Sequence, residues 1–100
     1  MTKKHEILFL IWKIRMFLKG LKKDVPVKVW SSEKEKFIKG YIQYYEGDSI
    51  TEEKFDFCVG VNFLEPVQGN DARFYSFGTY SEKDFKQKKI QKFKKNDTIN

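Results

Sequence analysis

Few side chains in this 100-residue chain are equipped for covalent, acid–base or metal chemistry. The single histidine, His5, is the one group whose ordinary pKa lies near neutrality, and the single cysteine, Cys58, is the one soft nucleophile. A nucleophile and its base must lie within hydrogen-bond reach of each other. His5, however, falls in what reads as a mobile N-terminal end, and Cys58 falls on the polar side of an alternating strand, where a half-exposed packing thiol is expected. One cysteine also excludes an intrachain disulfide and any Cys-x-x-Cys zinc or redox site. Glu52, Glu53 and Asp56 cluster, yet adjacent carboxylates at a strand entrance form a solvated edge, and nothing beside them reads as an acid–base partner. Asp48-Ser49 lacks the alternating oxygens and the glycine of a calcium loop. Neither a Walker A loop nor Gly-x-Gly-x-x-Gly is present. The expectation is a non-catalytic chain with no metal, no cofactor and no small-molecule substrate.

What remains is the chemistry of rings and lysines. Phe37, Tyr41 and Tyr45 at strand spacing, with Lys39 among them, suit a stacking platform, on which each stacked base contributes about 1–3 kcal/mol. Lys86, Lys88, Lys89 and Lys92, continued by Lys94 and Lys95, suit phosphate neutralisation. Lys39-Gly40-Tyr41 resembles the opening of the RNP1 motif of RNA-recognition domains, but Ile42-Gln43-Tyr44-Tyr45-Glu46 does not continue it. The helix–strands–helix order resembles that of a double-stranded-RNA-binding domain, without its three-strand count or the basic entry to its last helix. Neither likeness assigns a family. With arginine confined to Arg15 and Arg73, sequence-specific base reading is not expected.

Forty per cent of the chain is hydrophobic and 17% aromatic, enough for one core in one domain. Ten Phe and five Tyr against a single alanine, Ala72, point to a core built from large rings. Lysine supplies 18 of the 20 basic residues, a usage typical of AT-rich coding in a low-GC bacterium or its phages and other mobile elements. Residues 1–23 carry a net +6, residues 24–80 a net −4 and residues 81–100 a net +4. A polyanion could therefore meet only the two ends. The lone cysteine fits a reducing, cytoplasmic setting.

These side chains must be positioned by a small set of elements. Val25–Trp30 alternates with period two and reads as a first strand, with Pro26 at its entry. A second strand covers Phe37–Glu46, with Ile38, Ile42 and Tyr44 on one face and Phe37, Tyr41 and Tyr45 on the other. Glu46-Gly47-Asp48-Ser49 reads as a turn. The third strand points Phe55, Phe57, Val59, Val61 and Phe63 to one side. A loop over Glu65–Asp71 leads to a fourth strand, Ala72–Tyr80. Ser81-Glu82-Lys83-Asp84 resembles a capping box opening a helix that runs to about Lys94. The fold class expected is α+β: an N-terminal amphipathic helix packed on a four-stranded antiparallel meander, followed by a Lys-rich C-terminal helix. One domain spans 1–95, with a disordered tail over 96–100.

The first helix carries the main lead. Its longest apolar run, Ile7–Trp12, is far short of the roughly 20 residues needed to cross a bilayer, and no signal-peptide cleavage pattern follows. On a helical wheel Ile7, Leu10, Ile11, Ile14, Phe17, Leu18 and Leu21 share an arc of roughly 120°, the width of a core-facing stripe. Asp24-Val25-Pro26 is expected to stop the helix. A second ridge, Leu8, Trp12 and Met16 with Phe9 beside it and Arg15, Lys19 and Lys23 interleaved, is left over on the far side. That ridge, the aromatic sheet face, or both together form the expected protein-binding surface, for a foreign protein or a homodimer partner, because Trp and Tyr commonly dominate such contacts. The function expected is that of an adaptor or stoichiometric inhibitor. The alternative is nucleic-acid binding through Lys39, Tyr41, Tyr45 and the C-terminal lysines.

Overall fold

The computed structural model describes residues 3–49, 55–94 and 97. Helix α1 (Lys3–Leu18) precedes four strands, β1 (Pro26–Ser31), β2 (Lys36–Ser49), β3 (Phe55–Gln68) and β4 (Phe74–Ser81). A single helical turn, α2 (Glu82–Lys86), and a short strand, β5 (Ile90–Lys92), complete the chain. The strands form one antiparallel sheet in the order β4-β3-β2-β1-β5. Consecutive hairpins make the first four neighbours. The chain then crosses from one edge of the sheet to the other, and α2 touches both β4 and β5, so the edges are drawn toward each other and the sheet curls.

The α+β class and the N-terminal helix are as expected, but the strand count and the C-terminal helix are corrected. The capping carboxylate forms: Asp84 accepts hydrogen bonds from the Ser81 backbone N–H at 2.8 Å and from its hydroxyl at 3.2 Å. The helix nevertheless ends at Lys86. Lys88 turns the chain at φ 60°, and Ile90 is buried opposite Val29 as β5 pairs with β1. Without β5, Val27 and Val29, both 0% exposed, would lie on an uncovered edge strand. Burial of Ile90 prevails over a helix with only a thin apolar stripe. Of the expected C-terminal tail most lies outside the described residues, but Asp97 is placed, with Lys28 Nζ donating to it at 3.1 Å.

Two register shifts bend the long strands. Between Ile42 and Tyr44 β2 changes register against β3, and between Asn62 and Val67 β3 changes register against β4, around Pro66, which has no N–H to donate. β2 continues through Ser49, which pairs with Phe55, so Glu46–Ser49 is strand and not the expected turn. The core consists of Val27, Val29, Ile38, Ile42, Val59, Val61 and Ile90 on the concave face, closed by Trp12, Met16 and Leu21.

Helix α1 ends in a Schellman motif rather than at Asp24-Val25-Pro26. Gly20 adopts φ +78°, its N–H donates to the Phe17 carbonyl at 2.9 Å, and the Leu21 N–H donates to the Met16 carbonyl at 2.9 Å. Leu21 and Met16, the pair that this motif brings into contact, are both buried. This closure fixes which way α1 lies on the sheet.

Candidate functional site

The orientation of α1 is the reverse of the expected one. The inward face carries His5, Trp12 and Met16, 2%, 3% and 4% exposed. The broader stripe of Ile7, Leu10, Ile11, Ile14, Phe17 and Leu18 faces outward, each side chain between 48% and 78% exposed. Of the stripe's expected members only Leu21, beyond the helix end, is buried.

Rings explain the choice. Trp12 meets Tyr45 edge-on, with centroids 5.7 Å apart, and stacks on Phe57 at 5.3 Å. Phe9 adds edge contacts to Trp12 at 6.2 Å and to Phe57 at 5.9 Å. These arrangements are worth about 0.5–1.5 kcal/mol each beyond the area they bury. The Ile and Leu of the outer stripe cannot supply them. Tyr45 is available only because the β2 bulge after Ile42 reverses the strand's alternation and turns Tyr45 inward, leaving Tyr44 outside. The Tyr45 hydroxyl donates to the Leu21 carbonyl, and burial raises its pKa.

The expected protein-binding residues therefore separate. Trp12 and Met16 are internal, Phe9 is half-buried against them, and Leu8, Arg15 and Lys19 lie at the surface. Arg15 makes an exposed ion pair with Glu82 at 3.4 Å. The outward stripe is bordered by cations: Lys13 on one side, where its Nζ sits 4.8 Å from the Phe9 ring, and Lys22 beyond the helix end, 4.9 Å from the Phe17 ring. A shallow groove of about 420 Å³, lined by Glu6, Phe9, Leu10 and Lys13, runs along the first border.

The residues expected to meet nucleic acid also separate. Tyr45 is lost to the core. Phe37, Lys39 and Tyr41 remain on the convex face, joined there by Lys28, Trp30 and Phe93, which nothing in the sequence pattern singled out. Trp30 packs edge-on against Phe37 at 5.2 Å, and Lys28 Nζ lies 5.1 Å from the Phe37 ring. Lys39 Nζ lies between Tyr41 and Phe93, 5.6 and 4.7 Å from their ring centroids. Cross-strand pairing of Trp30 with Phe37 and of Pro26 with Tyr41 aligns this row. Lys86, Lys88 and Lys89 are exposed around α2, whereas Lys92 reaches back toward the Gly20 turn. Those four lysines do not form one surface with the Lys39 row.

His5 is buried on α1 rather than mobile. The half-exposed Cys58 thiol lies 3.9 Å from a Glu46 carboxylate oxygen. Glu52 and Glu53 lie outside the described residues, and Asp48 and Asp56 are described only as a facing strand pair. No cluster of three or more His, Cys, Asp or Glu able to hold a metal occurs among the described residues. No helix among them is long and apolar enough to cross a membrane. Fold and surface together describe a small α+β domain whose first helix is sealed on one side and bare on the other. Compared with family models, curated proteins and solved structures, the chain matches none.

Proposed function

We propose that this chain is a non-catalytic binding protein that acts by protein–protein association, as an adaptor or stoichiometric inhibitor, with the outer face of α1 as its docking surface. The observation that carries the reading is the outward stripe from Ile7 to Leu18, contiguous, apolar and held on a helix fixed from behind by Trp12 and Met16. Monomeric proteins rarely leave so much continuous apolar surface bare. The setting proposed is cytoplasmic, in keeping with the single cysteine and the coding usage of a phage or other mobile element. The test is an affinity pull-down from the native host with nuclease present, comparing the wild-type chain with Leu10→Lys/Ile14→Lys. A stoichiometric protein held by the wild type and lost by the variant supports the reading. Equal capture by both contradicts it.

The convex row of Trp30, Phe37, Tyr41 and Phe93 with Lys28 and Lys39 supports a second reading, in which single-stranded nucleic acid stacks across β5, β1 and β2. Labelled single-stranded oligonucleotides should then bind with an affinity that falls steeply with salt, and Trp30→Ala should weaken them. No retention at low salt eliminates that reading.

A further inference from the structure

We infer that the occupant of the α1 face is a second copy of this chain, packed helix against helix about a two-fold axis. The inference rests on the reading of α1 as a docking element and names its partner. The outward stripe has heptad spacing: Ile7 and Ile14 fall at one seam position, Leu10 and Phe17 at the other, and Ile11 and Leu18 beside the seam. In an antiparallel pair, Ile7 of one copy meets Phe17 of the other and Leu10 meets Ile14, each contact occurring twice by symmetry. The axis passes beside Ile11, which meets its own copy.

The exposed area of the stripe is on the order of 600 Å², at the top of the ~300–600 Å² of the largest patch on a typical monomer and about three quarters of the ~800 Å² each partner contributes to a standard interface. No polar side chain interrupts the seam between Ile7 and Phe17, which is the composition of a homodimer interface core. A surface of that size needs a cover at all times. A second copy is the one protein present in equal amount whenever the chain itself is.

The bordering cations do not prevent this pairing. Lys13 leans over Phe9, Lys22 leans over Phe17, and Arg15 is paired with Glu82, all outside the seam. Of these, Lys13 alone approaches its own copy across the axis. Antiparallel packing also brings Lys3 and Lys4 to the C-terminal end of the other helix, where the dipole favours cations. Association is thus driven by apolar contact and opposed by like charge, so added salt strengthens it. Docking on an anionic membrane surface or on an acidic protein would have the opposite salt dependence.

Sedimentation equilibrium of the full chain at about 50 and about 500 mM salt tests this directly. The expected species has twice the 12.0 kDa chain mass, forms more tightly at the higher salt, and is weakened at least about a hundredfold by Leu10→Lys/Ile14→Lys with far-UV circular dichroism unchanged. Cross-linking gives a readout that does not depend on that variant folding. In a Cys58→Ser background, Ile11→Cys should be joined into dimers by a short bis-maleimide, and Tyr75→Cys on β4 should not. A monomer at every concentration overturns the inference, as does a dimer that Ile11→Cys fails to cross-link. Salt-sensitive co-sedimentation of the monomer with phosphatidylglycerol-containing vesicles overturns it in favour of a membrane surface. A monomer that holds a host protein through Leu10 and Ile14 overturns the second copy alone and leaves the docking reading standing.

Discussion

The Trp12 indole stacks on the Phe57 ring, with centroids 5.3 Å apart and 15° between the planes. Helix and sheet meet through this contact, and it leaves the Ile and Leu side chains of α1 facing outward. The Trp12 Nε1 proton, although buried, has no hydrogen-bond partner among the described residues. The ring is therefore held by packing and not by its polar atom. Trp12→Ala should cost about 3–5 kcal/mol in urea denaturation. Trp12→Phe should cost distinctly less, because it keeps the ring contact and removes an unsatisfied donor. Equal losses for the two would show that the indole nitrogen matters after all.

A second prediction concerns Gly60, which sits under a pair of rings on the other face of the sheet. Tyr44 and Phe77 stack at 5.6 Å across β3, and a Cβ at position 60 would come within 2.6 Å of the Tyr44 ring and 2.8 Å of the Phe77 ring. Gly60→Ala should destabilise the chain by about 1–3 kcal/mol as the rings are pushed aside. In a Tyr44→Ala background the same change should cost much less, since the first obstruction is gone. A double-mutant cycle of thermal unfolding measures the difference.

Strand alternation was readable because Val27, Val29, Val59 and Val61 each fill one buried face, and a period of two admits one interior side. The face of α1 was not readable for a related reason: both of its sides are apolar, and width alone favoured the wrong one. Ring geometry decided it, through Tyr45, whose inward aim depends on a bulge after Ile42 that no residue type marks. Gly20-Leu21 did carry a readable helix stop, a glycine followed by a residue able to contact Met16. Ile90–Lys92 is too short for any periodicity, and β5 becomes visible only once β1 is known to need a neighbour. The side of α1 left bare was thus expected to be the Leu8, Trp12 and Met16 ridge and is instead the stripe from Ile7 to Leu18. The convex row was half seen, as Phe37, Lys39 and Tyr41 without Lys28, Trp30 and Phe93.

Alkaline titration offers a third prediction. Burial, and after it the Asp84 carboxylate, pushes the Tyr80 hydroxyl up to about 12. In the unfolded chain it titrates near 10. The folded state therefore holds this proton more tightly, and the resulting stability is fully present below about pH 10 and is lost as pH rises toward about 12. Unfolding free energy should fall across that window, and Tyr80→Phe should flatten the fall while removing the latest-ionising tyrosine from the ultraviolet titration. An unchanged late phase in Tyr80→Phe would reassign it to another tyrosine.

The central claim is that α1 turns Met16 inward and Ile14 outward, so the most direct measurement compares lysine at each of these two neighbouring positions. Thermal unfolding is followed by circular dichroism at the lowest workable concentration, where association contributes least to stability. Met16→Lys, which would bury an ammonium group beneath the helix, should lower the midpoint by more than about 10 °C. Ile14→Lys, on a side chain 51% exposed, should leave it within about 3 °C of the wild type. The reverse order, with Ile14→Lys unfolding the chain and Met16→Lys tolerated, would contradict the account.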